Sequence, residues 1–249
     1  MEPSIPMFTH VEIETASMCN RKCPTCMRQT VPDKERSRSW HERNLMPFEN
    51  ITRAFAELGA MQFTGEICLN HYNEPLMDDR LPGIAAAARK LVPGAVISMH
   101  TNGDLMTAEL AGRLDGVFHR IVYAAYSSQN RDEREQWMLR QFTATYIVLT
   151  RGEHMMTHFY PGAEERAAEF IEHACFEPTR RLILNHKGEM LLCCSDVFGY
   201  FDLGRFPKRT LTQLWNDPKH IDMVLALMQP GGRKGYEHCR ICPRMGWLP

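Results

Sequence analysis

A chain of 249 residues with 44% hydrophobic and 24% charged side chains carries enough apolar material for one large α/β domain, or one domain and a small appendage. Its 29 basic and 30 acidic residues leave a formal net charge of −1, so it lacks the basic footprint that bulk nucleic-acid binding uses. No apolar run approaches the ~18–20 residues of a membrane span, and Met1 to Met7 lacks the regions of a signal peptide; nine cysteines then argue for metal binding or catalysis over disulfides, and for a cytoplasmic location.

Phe8 to Thr15 alternates like a first strand, with Glu12 and Glu14 on the face opposite Val11 and Ile13. Glu14 is placed either to touch a substrate inside a small barrel or only to end a strand. Cys19, Cys23 and Cys26 follow, spaced C-x3-C-x2-C, in a loop just past the strand's C-terminal end, where α/β enzymes put their chemistry. Thiolates this close converge on one centre or stay free. Zinc wants four protein ligands; an iron–sulfur cube held by three thiolates keeps one iron for a substrate or cofactor.

Gln29 to Arg43 is polar and basic, a solvated surface or a cover over an acidic group. Pro47 to Ala60 reads as a helix whose stripe of Phe48, Ile51, Phe55 and Leu58 faces the core. Ile67 to Tyr72 is a second strand; Pro75 bars helical geometry at Glu74, which fixes Asn73 and Glu74 at the strand's end. Cys68 inside this strand is a buried small hydrophobe. Leu81 to Leu91 is a helix, and Val96 to His100 a third strand ending in Thr101-Asn102-Gly103, a turn or a site element. After a helix at Thr107 to Leu114, the strand from Arg120 ends in Tyr126, Ser127, Ser128 and Gln129, groups suited to ribose or a polar substrate. Arg131 to Gln141 is a charged helix, and Thr145 to Thr150 a strand tipped by Arg151-Gly152. Strands alternate with helices at ~25-residue intervals, the pattern of parallel βα units.

Past a helix near Glu164 to His173 come Cys175, Cys193, Cys194, Cys239 and Cys242. Leu182–Asn185 and Glu189–Cys193 flank His186-Lys187-Gly188 as a hairpin, Thr210 to Asn216 starts a helix carrying Leu211, Leu214 and Trp215, and Cys239-x2-Cys242 closes the set. Four thiolates from three segments can saturate one metal centre, zinc or iron–sulfur.

The C-x3-C-x2-C stretch resembles the radical S-adenosylmethionine (SAM) superfamily, although Thr25 stands where many members have an aromatic residue. Asn73-Glu74-Pro75 is similar to that family's Gly-Gly-Glu-Pro segment, with Tyr72 and Asn73 in place of the glycines, and Thr101-Asn102-Gly103 is similar to a recurrent strand tip. The resemblance implies an α/β fold: a partial, open (β/α)6 TIM-like barrel over residues 1–165. It implies a [4Fe–4S] cluster on Cys19, Cys23 and Cys26 whose open iron chelates SAM, and a 5′-deoxyadenosyl radical from cleavage of that cofactor. By the same likeness Tyr72, Asn73, Glu74, Thr101, Asn102, Ser127 and Gln129 contact SAM. Glu14, Tyr126 and Arg151 serve substrate and catalysis, with His100 and Ser128 facing the same cavity.

Residues 166–249 resemble the shortened auxiliary-cluster domain called twitch, a truncated SPASM domain, built as a β-hairpin plus helix. The likeness implies an auxiliary [4Fe–4S] cluster on Cys175, Cys193, Cys239 and Cys242, with Cys194 a spare thiol. The implied reaction is a two-electron oxidation (dehydrogenation) of a polar small molecule (sugar, aminocyclitol or nucleoside-like), with the auxiliary cluster as electron acceptor and flavodoxin or ferredoxin as donor. Peptide modification by thioether formation or epimerisation, and redox-neutral sugar or nucleoside chemistry, are the enzymatic rivals. A zinc-binding interaction module is the rival outside enzymes.

Overall fold

The computed structural model describes residues 4–24, 26–30, 41–126, 130–150, 163–196 and 198–245. Its strands are β1 (His10–Ile13), β2 (Glu66–Cys68), β3 (Val96–Thr101), β4 (Arg120–Ala124), β5 (Tyr146–Thr150), β6 (Arg181–Leu184) and β7 (Met190–Leu191). They form one sheet in the order β5-β4-β3-β2-β1-β6-β7, parallel throughout except for the β6–β7 hairpin. The helices between them include α1 (Met27–Thr30), α2 (Phe48–Ala60), α3 (Leu81–Leu91), α4 (Ala108–Leu114), α5 (Arg131–Gln141) and α6 (Ala163–Phe170).

Register sorts the side chains into two faces. Val11 pairs with Ile67 and Leu182, Ile67 with Ile97, Met99 with Ile121, and Ile121 with Ile147. This face is apolar and joins the core formed with Ile51, Phe55 and Leu58 of α2 and Ile84, Ala85 and Ala88 of α3. The alternate positions carry the polar residues, His10 and Glu12 on β1, Glu66 on β2, Ser98 and His100 on β3, Arg120 on β4 and Arg181 on β6, beside Cys68, Val122 and Ile183. Because side chains alternate along a strand, one face packs against helices and the other lines the inside of an open barrel.

Three expectations need refinement. Phe48 does not join the core stripe; it is 42% exposed, because at the first helical position its side chain points back past the packed turns. β2 stops at Cys68 rather than Tyr72, since Asn70 turns its side chain into the ladder and accepts the His100 N–H at 2.7 Å. The hairpin does not stand apart from the barrel. β6 lies parallel to β1, Val11 opposite Leu182, so the sixth parallel strand sits beside the first, and β5 is the other edge.

The tail folds back along this edge through α7 (Leu211–Trp215), α8 (Pro218–Leu227) and α9 (Glu237–Arg240). Thr210 and Gln213 cap α7 reciprocally, and Asp217 caps α8 before Pro218. Trp215 is fully buried, donates its indole N–H to the Pro6 carbonyl at 3.0 Å and meets the Phe8 ring edge-on at 5.2 Å. Among the described residues, no helix is long and apolar enough to cross a membrane. Trp215→Ala is expected to lower unfolding free energy by about 3–5 kcal/mol in urea denaturation, as a large buried aromatic truncated to a cavity does; a loss below about 1 kcal/mol would show that the tail is not fastened there.

Candidate functional site

The loop leaving β1 carries Cys19, Cys23 and Cys26, all partly buried and none in a disulfide. Cys26 N–H bonds the Cys23 carbonyl at 3.0 Å, and Gln29 N–H the Cys26 carbonyl at 2.8 Å, which winds the loop into α1. Burial pushes all three thiols up, Cys26 to about 11, and the neighbouring thiols add to the rise for Cys19 and Cys26. The buried Arg28 donates to the Ser17 carbonyl, and its charge works against the rise at Cys19 and Cys26. Among the described residues no three His, Cys, Asp or Glu side chains are grouped to hold a single metal ion; a four-iron cube takes its thiolates at separate corners. Three thiols on one short loop, with a buried cation acting on two of them, suit a group that binds thiolate and releases the protons.

The tips of β2 and β3 close on this loop. Glu74 N–H bonds the Met18 carbonyl at 2.7 Å. The buried Glu74 carboxylate accepts from Leu76 N–H at 3.1 Å, Thr101 hydroxyl at 2.6 Å and Asn102 N–H at 2.8 Å. Burial pushes this carboxyl up in spite of the three donors. Asn102 reaches Asn20 at 2.9 Å, while Asp104 holds both Asn20 and Arg21. Gly103 sits at φ +70° with Tyr123 against its α-carbon, a position that a side chain would strain. Glu74, Thr101, Asn102 and the cysteine loop are therefore one hydrogen-bonded unit. Asn73 lies beside it, buried, and its Nδ2 has no partner.

Other expected residues fall differently. Tyr72 spends its hydroxyl on the Cys194 carbonyl at 2.9 Å, so the phenol links barrel to tail. Tyr126 flanks the cysteine loop: the Arg21 guanidinium lies 5.6 Å from its ring, and burial, with the three thiols, pushes its phenol to about 12. His100 stands on the concave face, and desolvation pulls its imidazole below the ordinary range although Glu12 and Glu66 oppose this. Ser127, Ser128, Gln129, Arg151 and Gly152 lie outside the described residues.

In the tail, the Cys193 thiol is pushed up by burial and then by Cys194, Cys242, Cys239 and Cys175. Cys194 faces elsewhere. Arg244 donates to its sulfur at 2.6 Å, and the other charges it feels are Glu177, Glu12 and Arg181.

Residues 175–243 match the model of the SPASM family, an iron–sulfur cluster-binding domain. The S-adenosyl-L-methionine-dependent 2-deoxy-scyllo-inosamine dehydrogenase of Niallia circulans is 20% identical over 240 residues, 95% of this chain and 93% of that protein. BtrN in complex with AdoMet and 2-DOIA shares the fold at TM-score 0.78 and 19% identity, over 97% of this chain and 95% of its own. The fold also matches native anSMEcpe with bound AdoMet, at TM-score 0.63 and 11% identity, over 94% and 88% of the two chains. The chain thus shares the fold of these two structures and carries a SPASM-like tail.

The barrel is joined to its tail by two buried carboxylates, Glu12 on β1 and Glu14 just past its end. Glu12 bonds His71 at 2.7 Å and pairs with Arg181 of β6. Glu14 bonds His186 Nδ1 at 2.7 Å and accepts His186 N–H at 3.1 Å and Tyr72 N–H at 3.3 Å. Glu14, expected at the substrate, is thus turned toward the hairpin. Sequence reasoning missed Arg28, Arg244 and His186. None lies in a motif; only the adjacency of Arg28 to Cys26 and of Arg244 to Cys242 gave a hint.

Burial favours the protonated form of Glu12, but the bond to His71 and the charges of His71, Arg181 and His10 outweigh it and hold the carboxyl at about 2. A folded value below the unfolded one adds stability that is complete above about pH 4.5 and lost as pH falls toward 2. Glu12→Gln is expected to remove that loss, so the stability gap between wild type and variant should narrow by about 3 kcal/mol from pH 5 to pH 2 in urea titrations. A gap constant with pH would contradict the pairing.

Proposed function

We propose that Cys19, Cys23 and Cys26 hold the cluster that binds SAM, with one iron left without a protein ligand. The observation that carries this is the interlock of the cysteine loop with Glu74, Thr101 and Asn102. It sets the three thiols beside strand-end groups that can receive the amino and carboxylate ends of methionine. Glu74 shapes that pocket from within, and the unpartnered Asn73 Nδ2 supplies a donor for a carboxylate. Cys175, Cys193, Cys239 and Cys242 hold the auxiliary cluster; the electrostatic neighbours of Cys193, against those of Cys194, support the choice between them. The boundary between barrel and tail is placed at residues 165 and 166, just ahead of the matched segment.

The chemistry these groups supply when bound is one-electron cleavage of SAM to a species that abstracts hydrogen. The chain's own residues do the rest. The concave face admits a polar small molecule, with Tyr126 at its rim. Arg151 binds the substrate, since a guanidinium is too basic to act as a base. His100, whose imidazole desolvation holds below the ordinary range, accepts the proton released as a hydroxyl is oxidised. The second electron leaves through the tail, where Tyr72 touches the Cys194 backbone. The substrate class is an aminocyclitol or related polyol, as the name of the Niallia circulans relative suggests. Flavodoxin or ferredoxin in the cytoplasm supplies the first electron.

Reconstituted, reduced enzyme should release 5′-deoxyadenosine from SAM, and deuterium from labelled 2-deoxy-scyllo-inosamine should appear in it. Cys23→Ala should abolish the release. Iron should fall from about eight to about four per chain in Cys193→Ala and stay near eight in Cys194→Ala. SAM cleavage by the Cys23 variant would refute the N-terminal assignment. Label transferred only from a peptide or nucleoside would refute the substrate class.

A further inference from the structure

Two guanidiniums stand among the tail cysteines without a carboxylate. Arg233 is 2% exposed. It donates to the Arg244 carbonyl at 2.7 Å and to the Met245 carbonyl, and its Nε is buried without a partner. Arg244, two residues past Cys242, is half-buried and turns Nη1 to the Cys194 sulfur at 2.6 Å. Among the described residues, neither arginine has an acidic side chain within ion-pair distance. The two are built together. Arg233 fixes the backbone on which Arg244 stands, and Arg166 Nε–H adds a bond to the Pro243 carbonyl at 3.2 Å. Arg244 is thus held at its own carbonyl and at the tip of its side chain. Its anchor Cys194 is fixed in turn, since the Cys194 carbonyl accepts the Tyr72 hydroxyl at 2.9 Å.

Between them the two charges reach all four cysteines of the auxiliary set. Burial pushes up the Cys175 and Cys239 thiols, and the Arg233 charge works against that rise. Cys194 first, and then Tyr72, Cys193 and Cys242, hold the Arg244 guanidinium above its usual range. Two acids act in the opposite sense, Glu177 at Cys175 and Asp196 at Cys239, but both are engaged elsewhere. Glu177 lies 3.3 Å from Arg181 Nε, and Asp196 accepts the N–H groups of Leu192 at 3.0 Å and Tyr200 at 2.8 Å. A buried cation is tolerated where an anion compensates it. Four thiolates on an iron–sulfur cube supply that charge.

We propose that Arg233 and Arg244 are the counter-charges of the auxiliary cluster and raise its reduction potential. The inference rests on the assignment of Cys175, Cys193, Cys239 and Cys242 made above. One-electron reduction adds a negative charge to the cube, and a fixed cation nearby stabilises that state more than the oxidised one. No bond forms or breaks in this step, and the electron is the second of the two that leave the substrate. Arg244 acts through space and is not a ligand; Arg233 both adds charge and positions it.

Redox titration followed by electron paramagnetic resonance tests this, on the reconstituted full chain carrying Cys19→Ala, Cys23→Ala and Cys26→Ala so that the auxiliary cluster is read alone. Arg244→Gln is expected to lower the midpoint. At the midpoint of the parent, the ratio of reduced to oxidised cluster should fall about tenfold, which is about 59 mV for a one-electron couple. Arg244→Lys, which keeps the charge, should retain most of the parent potential. Cys194→Ala removes the anchor but none of the four ligands, so it should move the midpoint the same way, and it replaces Arg244→Gln should that variant not load. An unchanged or raised midpoint in a loaded variant, or a shift in Arg244→Lys equal to that in Arg244→Gln, would overturn the inference while leaving the ligand assignment in place. A cluster that still forms with about four irons in Cys193→Ala would overturn the assignment itself.

Discussion

A charge buried inside a barrel has to be paired, and β1 with the residue after it carries two. Glu12 and Glu14 lie within the protein, where an unpaired carboxylate would cost several kcal/mol. Their partners come from two distant places. His71 and the Tyr72 N–H follow β2, and Arg181 and His186 belong to the hairpin. Pairing therefore fixes the segment ahead of Glu74 and the tail to the same strand that launches the cysteine loop. The two cysteine sets are held in relation to each other because both hang from β1.

The same constraint gives the tail its electrostatic character. Arg244 bonds the Cys194 sulfur and is influenced by Cys193, Cys242 and Tyr72. A guanidinium beside a cluster held as proposed would stabilise its more negative, reduced state, in keeping with the proposed acceptor role. Cys194, spare by count, has a use here: it anchors that cation, and its carbonyl holds the Tyr72 phenol.

Much of the fold was legible because it rests on local pattern. Leu81–Leu91 and Arg131–Gln141 form the helices that periodicity predicts, and five strands fall where apolar runs put them. What failed was long-range. Nothing in the run Arg181 to Leu184 says that it pairs with His10 to Ile13, where Arg181 meets Glu12 and Leu182 and Leu184 meet Val11 and Ile13. Side-chain direction was equally hidden. The phenol of Tyr72 and the carboxylate of Glu14 were expected to face the ligands, yet both turn to the tail. Glu74, Thr101 and Asn102 were recognisable through family likeness, but their bonds to one another were not.

A cluster held by Cys19, Cys23 and Cys26 as proposed would keep one iron open to SAM. Electron paramagnetic resonance of the reduced enzyme, with the auxiliary site disabled by Cys239→Ala and Cys242→Ala, examines that iron alone. Adding SAM should change the spectrum of the remaining cluster. An identical spectrum with and without SAM would contradict the account.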